Sequence, residues 1–310
     1  MKTSEKKEVK EKVKKEDSQK VKNIKFHILA IFCIIIFCAS ICPVTMQNDT
    51  YYTIKIGKHI INTKTVDMQD PFSWHELPYT YPHWAYDVMI YLIYNLGGFL
   101  GIFISTIVFA CILGILMYCT NYKISKNKLI SFAITIGGMF LIKDYIAARA
   151  QLVTFILLEL TILLIENFLE KKKAGYAIGI IVISTAIANL HCAVWPFFFV
   201  IFLPYIAEYL IFTVIDAQPV YRIRKKYYDI KIKNYNKKIE KEAIEENKKI
   251  LDEKLKKVII AKEKFEEKNA KILKNREAKR KEPYKIRYNK NKNAKWLILI
   301  MAISVLTGLL

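Results

Sequence analysis

The sequence predicts an all-α polytopic membrane helix bundle with a large extracytoplasmic first loop and a charged cytoplasmic helical insertion. Two observations predict this class. The 310 residues are 53% hydrophobic and 25% charged, and the two kinds of residue occur in separate blocks along the chain. Several apolar blocks approach the roughly 20 residues that an α-helix needs to cross a bilayer. One soluble domain would mix the two kinds of residue more evenly.

The positive charge lies mostly in two blocks. Residues 1–23 contain nine lysines and five acids, and residues 216–295 contain 28 lysines and arginines and 13 acids. Together these blocks supply most of the net charge of +21. Because cytoplasmic segments beside membrane spans are rich in Lys and Arg, the charge favours membrane orientation as its explanation. No nucleic-acid partner is expected.

The apolar blocks are interpreted as six spans and an incomplete seventh. The first span covers 24–46, and the lysine-rich tail before it predicts a cytoplasmic N-terminus in a multi-pass protein of the cell membrane. With this start, the lysine-rich connections 121–128 and 170–173 both fall on the cytoplasmic side. The other predicted spans are 101–119, 129–142, 152–168, 176–188 and 194–215.

The last apolar run, 296–310, has 15 residues, or about 22 Å of helix, which is too short for a crossing. The chain is therefore expected to be the N-terminal part of a longer protein. Between the sixth span and this run lies the basic segment 216–295. It carries apolar residues at a seven-residue interval, but the companion heptad positions are mostly Lys, Asn or Glu. Half of a coiled-coil seam favours a long solvated helix or a helical hairpin over a firm dimer. Anionic lipid is a less favoured partner for this segment.

The predicted outer loop, 47–100, is rich in acids, histidines and aromatic residues. Within it, 84–96 is expected to form a helix that ends at Gly97-Gly98 and lies at the membrane interface, because it is too short to span. The outer turns add Lys143, Asp144, Arg149 and His191. Such groups would bind a lipid-linked phosphate, with cations neutralising it and a carboxylate acting as a base. The alternative is a loop that is polar only because water surrounds it. The acids and histidines of the loop are Asp49, Asp67, Asp70, His75, Glu76, His83 and Asp87.

A set of short motifs in this region resembles a known family. The motifs are Gln47-Asn48-Asp49, Ile56-Gly57, the run 67–75, Tyr81-Pro82-His83-Trp84, Gly97-Gly98, Arg149-Ala150-Gln151 and Asn189-Leu190-His191. Together they resemble a bacterial family of polytopic proteins that is similar to the C-type glycosyltransferase fold, the membrane enzymes that use polyprenyl-phosphate sugars. The resemblance covers most of residues 24–215. The basic insertion at 216–295 departs from the family's pattern.

The resemblance implies roles for several side chains. In such transferases an acid just after the first span is the catalytic base that deprotonates the acceptor hydroxyl, and Asp49 holds that place. Asp70 would be the second catalytic acid and would hold the acceptor or a divalent cation. Such a divalent cation is the one cofactor that the resemblance implies. The implied substrate-binding residues are His75, His83, Arg149 and His191.

Each of these assignments has a structural alternative. Asp70 precedes a proline, as the first residue of a turn often does. Asp49 would serve equally well as the cap of a helix over 51–61. Arg149 and His191 have the character of anchors at a membrane interface.

The preferred hypothesis is a membrane glycosyltransferase-like protein that transfers a sugar from a polyprenyl-phosphate donor to an acceptor on the extracytoplasmic side. Its expected partners are the lipid-linked donor and membrane lipids. The alternative is a non-enzymatic polytopic protein, such as a transporter or a cell-envelope assembly partner. The sugar, the acceptor and the oligomeric state stay open.

Overall fold

The computed structural model describes residues 2–69, 74, 77–280 and 292–309. Within these residues the chain is almost entirely helical, so the predicted all-α class is confirmed. A short antiparallel hairpin, β1 (Asp67–Gln69) with β2 (Pro78–Thr80), is the exception in the described part. The helices are α1 (Lys2–Ser40), α2 (Asn48–Thr63), α3 (Trp84–Ser125), α4 (Lys128–Leu141), α5 (Ala150–Lys171), α6 (Ala174–Leu190), α7 (Trp195–Phe198), α8 (Leu203–Ala217), α9 (Pro219–Lys241), α10 (Glu245–Arg280) and α11 (Lys295–Leu309).

Four helical stretches of the described chain are long and apolar enough to cross a membrane. They are Val21–Ser40, Trp84–Ser125, Ala150–Lys171 and Cys192–Lys241. The apolar helices α4, α6 and α11 are shorter, with 14, 17 and 15 residues. At 1.5 Å per residue, α4 covers about 21 Å of the roughly 30 Å of hydrocarbon in a bilayer.

In two predicted spans the helix bounds differ from the expected ones, and prolines lie at both places. The first was expected to continue to residue 46, but α1 ends at Ser40, because Pro43 disfavours helical backbone in the residue before it. The run 194–215 was expected to be one helix. It begins instead with short helical pieces, and α8 starts only at Leu203. Pro196 and Pro204 lie in first turns, the helix positions that tolerate a residue without an N–H.

Helix α3 is broken where the sequence predicts a break. Gly98 has φ 59° and ψ −151°, far from helical values and in a region that side chains with a Cβ avoid. The helical direction therefore changes between the part that begins at Trp84 and the long apolar part that runs to Ser125.

Helices α2 and α3 pack unusually closely at Gly57. A Cβ on this residue would lie 2.7 Å from the Cβ of Tyr91 and closer still to the backbone carbonyl of Asp87. Only glycine allows this approach. Because Asp87 is in the first turn of α3, the contact holds α2 directly against the backbone of this acid.

The segment 204–294 forms a separate compact unit, in which α9 and α10 pair as a helical hairpin. Phe265 stacks on Tyr221 with 5.4 Å between ring centroids. The polar heptad positions also have partners across the hairpin: Lys262 binds Asp229 at 2.7 Å, and the Asn269 amide donates to the Gln218 side chain at 3.1 Å. The incomplete seam of α10 is thus matched by polar groups of α9.

Candidate functional site

The starts of α2, α3 and α5 and the end of α6 meet at one end of the bundle. There they bring together six polar side chains from distant parts of the sequence, hereafter the acid–histidine cluster. Its members are Asp49, His83, Asp87, Arg149, Thr154 and His191.

Asp49 and Arg149 form an ion pair between α2 and the residue that precedes α5. Asp49 lies in the first turn of α2, where the positive end of the helix dipole favours an acid. The helix cap is Gln47, so the alternative of Asp49 as the cap is wrong. The side chains are 65% and 40% exposed, but the Nε atom of Arg149 is buried and has no hydrogen-bond partner. The guanidinium therefore retains donor capacity for a further anion.

His83 and Asp87 form the second pair, at the start of α3. The Nδ1 atom of His83 lies 2.9 Å from both carboxylate oxygens of Asp87, whose side chain is fully buried. Thr53 of α2 also hydrogen-bonds to this carboxylate. The hydrogen bond to Asp87 raises the pKa of His83 above its ordinary value, and the negative charges of Asp87 and Asp49 act in the same direction.

The pKa of His191, at the end of α6, is shifted in the opposite direction. Its Nδ1 atom lies 3.1 Å from the hydroxyl of Thr154 on α5. Burial lowers the pKa of His191, and the positive charge of His83 lowers it further. The cluster therefore favours a protonated imidazole at His83 and a neutral one at His191, which gives it one charged donor and one uncharged acid–base group.

Two further contacts hold the end of α6 against the start of α3. The backbone N–H of Cys192 donates to the carbonyl of Pro82 at 3.1 Å, and the indole N–H of Trp84 donates to the side chain of Asn189 at 3.1 Å. These bonds keep His83 and His191 close to each other.

An open groove of about 540 Å³ is lined in part by the two chain segments that carry the ion pair, 43–49 and 143–149, and in part by α1 and α4. Neither Asp49 nor Arg149 lines it, but residues two and three positions away along the chain, Gln47 and Ile146, do. Its charged groups include Asp144 and Lys143, whose Nζ lies 5.0 Å from the Phe140 ring centroid. A groove that combines apolar side chains with a cation suits an amphipathic ligand that carries an anionic group. Its lining residues are Phe37, Ile41, Pro43, Gln47, Phe140, Lys143, Asp144 and Ile146.

Four of the six predicted site residues meet in this cluster: Asp49, His83, Arg149 and His191. The other two, Asp70 and His75, lie outside the described residues. Within the described chain, no three His, Cys, Asp or Glu side chains are grouped closely enough to hold a metal ion.

The prediction assigned no role to two members of the cluster. Asp87 was named only among the acids of the outer loop, although its four-residue spacing from His83 was a signal for a pair on one helix. Thr154 had no such signal, because its partner His191 is 37 positions away.

Comparisons with protein-family models, with curated proteins and with solved structures yield no match.

Proposed function

We propose that this protein is a membrane glycosyltransferase that moves a sugar from a polyprenyl-phosphate donor to an acceptor hydroxyl on the extracytoplasmic side. The observation that carries the proposal is the ion pair of Asp49 with Arg149, which lies two and three residues along the chain from side chains that line a partly apolar groove with Lys143. A polyprenyl-phosphate sugar has the matching parts, namely an apolar tail, an anionic phosphate and a reactive anomeric carbon.

The proposed reaction is a single displacement. The acceptor oxygen forms a bond to the anomeric carbon while the bond from that carbon to the phosphate oxygen breaks. The acceptor proton passes to the Asp49 carboxylate, and the electron pair of the broken bond leaves on the phosphate. Arg149 and Lys143 stabilise the charge that develops on this leaving group.

Exchange of ion-pair partners would prepare Asp49 for this step. In the free protein Arg149 binds Asp49. A donor phosphate competes for the same guanidinium and, once the side chain turns, also offers an acceptor for the unpaired Nε–H. As Arg149 turns to the phosphate, the Asp49 carboxylate is released to accept a hydrogen bond from the acceptor hydroxyl. Binding of the donor would thus free the base for the acceptor.

The charge distribution supports an extracytoplasmic site and a cytoplasmic N-terminus. At the end of the bundle remote from the cluster, Lys123 at the end of α3 pairs with Glu170 at the end of α5. Lys128 donates to Asn23 at 2.7 Å, and Lys172 lies over the Trp296 ring. By the rule that positive loops stay in the cytoplasm, this lysine-rich end faces inward and the cluster faces outward.

Cysteine labelling tests that orientation. Cys192 is free, exposed and adjacent to the cluster, and Lys172 lies at the opposite end. A membrane-impermeant maleimide is expected to label Cys192 in intact cells. It should label a Cys192→Ser, Lys172→Cys variant at the new cysteine only after permeabilisation. Equal labelling of both positions in intact cells contradicts the orientation and with it the outer site.

Asp49→Asn tests the reaction. In membranes that contain the full protein, release of undecaprenyl phosphate from a panel of undecaprenyl-phosphate sugars is expected to fall by about 100-fold or more when the base is removed. Glu170→Gln is the matched control, because it removes one acid from an exposed ion pair at the other end of α5. It should leave release unchanged. Equal activity of the two variants contradicts the proposal.

A non-enzymatic role is the second candidate, as a transporter or a cell-envelope assembly partner. The observation that favours it is that Arg149 already pairs with Asp49, as expected for a contact that only ties α2 to α5. Under this hypothesis no sugar donor of the panel is consumed by the wild-type protein, and Asp49→Asn affects folding alone.

A further inference from the structure

Helix α9 has two apolar faces, although one face is enough for its hairpin. The face toward α10 consists of half-buried side chains that include Tyr221, Tyr228 and Ile239. The opposite face carries a second stripe, hereafter the outer stripe, that is largely exposed within the compact unit 204–294. The outer stripe consists of Val220 (74% exposed), Ile223 (71%), Tyr227 (55%) and Ile230 (51%).

The spacing of the outer stripe is helical. Its members follow one another at intervals of three, four and three residues, so they form one narrow line along α9 at 100° of rotation per residue. Sequence position places the middle of this line about 120–140° around the helix from Tyr221 and Tyr228, which contact Phe265 of α10. The hairpin therefore leaves the outer stripe uncovered.

Basic residues border the outer stripe on both sides. By the same rotation, the exposed Lys226 and Lys233 lie along one border, and Arg224 and Lys231 lie along the border nearer α10. The Arg224 guanidinium lies 5.1 Å from the Phe265 ring centroid of α10, so Lys226 and Lys233 are the better placed for lipid phosphates. The whole of α9 contains nine Lys or Arg residues and two acids. An apolar line between two rows of cations is the pattern of a helix that lies in the headgroup region of an anionic membrane.

The position of α9 in the chain also places it next to a segment suited to the membrane interior. Helix α8 is apolar and ends at Ala217, and α9 begins two residues later at Pro219. Gln218 between them has a left-handed backbone, with φ 48°. The abrupt change from an apolar to a basic helix leaves α9 no more than a few ångströms from the end of a segment suited to the membrane interior.

We infer that α9 binds the surface of an anionic bilayer, with the outer stripe at the boundary between headgroups and acyl chains and its bordering cations on lipid phosphates. Charge complementarity favours this occupant over a second copy of the chain, because two such stripes would bring rows of like charge together. The apolar centre of the stripe argues against nucleic acid, whose backbone offers only charge to a helix face.

Fluorescence in nanodiscs tests the inference on the full chain, with one copy in each disc. The environment-sensitive amino acid Anap replaces Ile223 on the outer stripe or, as the matched control, Ile260, an exposed isoleucine on α10. In discs of brominated phosphatidylglycerol, Anap at 223 is expected to shift to the blue and to lose roughly half of its emission, since such helices insert about 5–10 Å. Anap at 260 should change little.

The charge requirement is tested by Lys226→Gln with Lys233→Gln, two exposed lysines of the border. This variant should reduce the quenching at 223, whereas Lys256→Gln with Lys257→Gln on α10 should not. The inference is overturned if Anap at 223 has the same emission in phosphatidylglycerol and phosphatidylcholine discs. This holds whether the probe is buried in both kinds of disc or exposed in both. A blue shift that appears only when two protein copies share a disc also overturns the inference. Unlabelled protein gives an independent measure, because protection of lysines 226 and 233 from acetylation should follow the anionic lipid content.

Discussion

The two charged pairs of the acid–histidine cluster differ in how far water reaches them. Asp87 is fully buried against His83 and Thr53, whereas Asp49 is 65% exposed beside Arg149. An exposed ion pair contributes little to stability because water and salt screen it, but removing one partner of a buried pair leaves the other polar group poorly compensated. The comparison indicates that the buried pair holds the site together and that the exposed pair is available for a ligand.

The largest expected effect comes from the buried pair. Asp87→Ala leaves His83 and Thr53 without their shared acceptor and should lower the free energy of unfolding by about 3 kcal/mol. Denaturant titration of the full protein in detergent micelles measures this loss. Asp87→Asn, which retains the volume and an acceptor oxygen, should lose less. A loss at Asp87→Ala as small as that at Asp49→Ala contradicts the division between the two pairs.

The second largest loss of stability is expected at the close contact between α2 and α3. Gly57→Ala places a methyl group against the backbone of Asp87 and should cost about 1–3 kcal/mol of unfolding free energy, as overpacking does. Gly137→Ala is the control, since a Cβ at that helical position meets nothing within 4 Å. It should be neutral or slightly stabilising. Equal effects of the two substitutions would show that α2 can move away from α3 without loss.

Of the two pairs, only the buried one should make a contribution to the free energy of unfolding that depends on pH. Because the pKa of His83 is raised above 6.5 in the folded state, its contribution is fully present below pH 6.5 and is lost as the pH rises through the folded value. His83→Gln should therefore destabilise the protein more at pH 6 than at pH 9. Thermal unfolding at the two pH values measures the difference. His191, with a lowered pKa, acts in the opposite direction, and its pKa depends in part on the charge of His83, so the comparison is made in a His191→Gln background.

The smallest effect is expected at the exposed pairs. Asp49→Asn and Glu170→Gln should each change the free energy of unfolding by less than about 1 kcal/mol, because both carboxylates are largely exposed. The same denaturant titration serves as the measurement. A large loss at Asp49 alone would mean that its pair with Arg149 is a structural support, which favours the non-enzymatic hypothesis.

Much of the fold followed from local pattern. Separated apolar blocks predicted the helices, and the pair Gly97-Gly98 predicted the break in α3. The helix bounds differed from the expected ones where a proline interrupts a continuous apolar run, as at Pro43 and Pro204. Hydropathy measures how readily a segment leaves water, but it does not register that proline lacks an N–H and restricts its neighbour.

Only part of the candidate site could be predicted from the sequence. Asp49 and Arg149 were both predicted, but from motif resemblance and not as partners. No local rule could pair them across 100 positions of sequence. Likewise, the role of Thr154 depends on α5 lying beside α6.

By itself the sequence determined the helical class, the separation of apolar from basic segments, and the residue types available for acid–base and phosphate chemistry. Those properties depend on neighbours within a few turns of helix. Tertiary structure decided which carboxylate is buried, which one faces water, and which arginine or histidine each one meets. Burial and partnership depend on how distant helices pack, and here a single glycine at the crossing of α2 and α3 lets α2 lie against the backbone of Asp87.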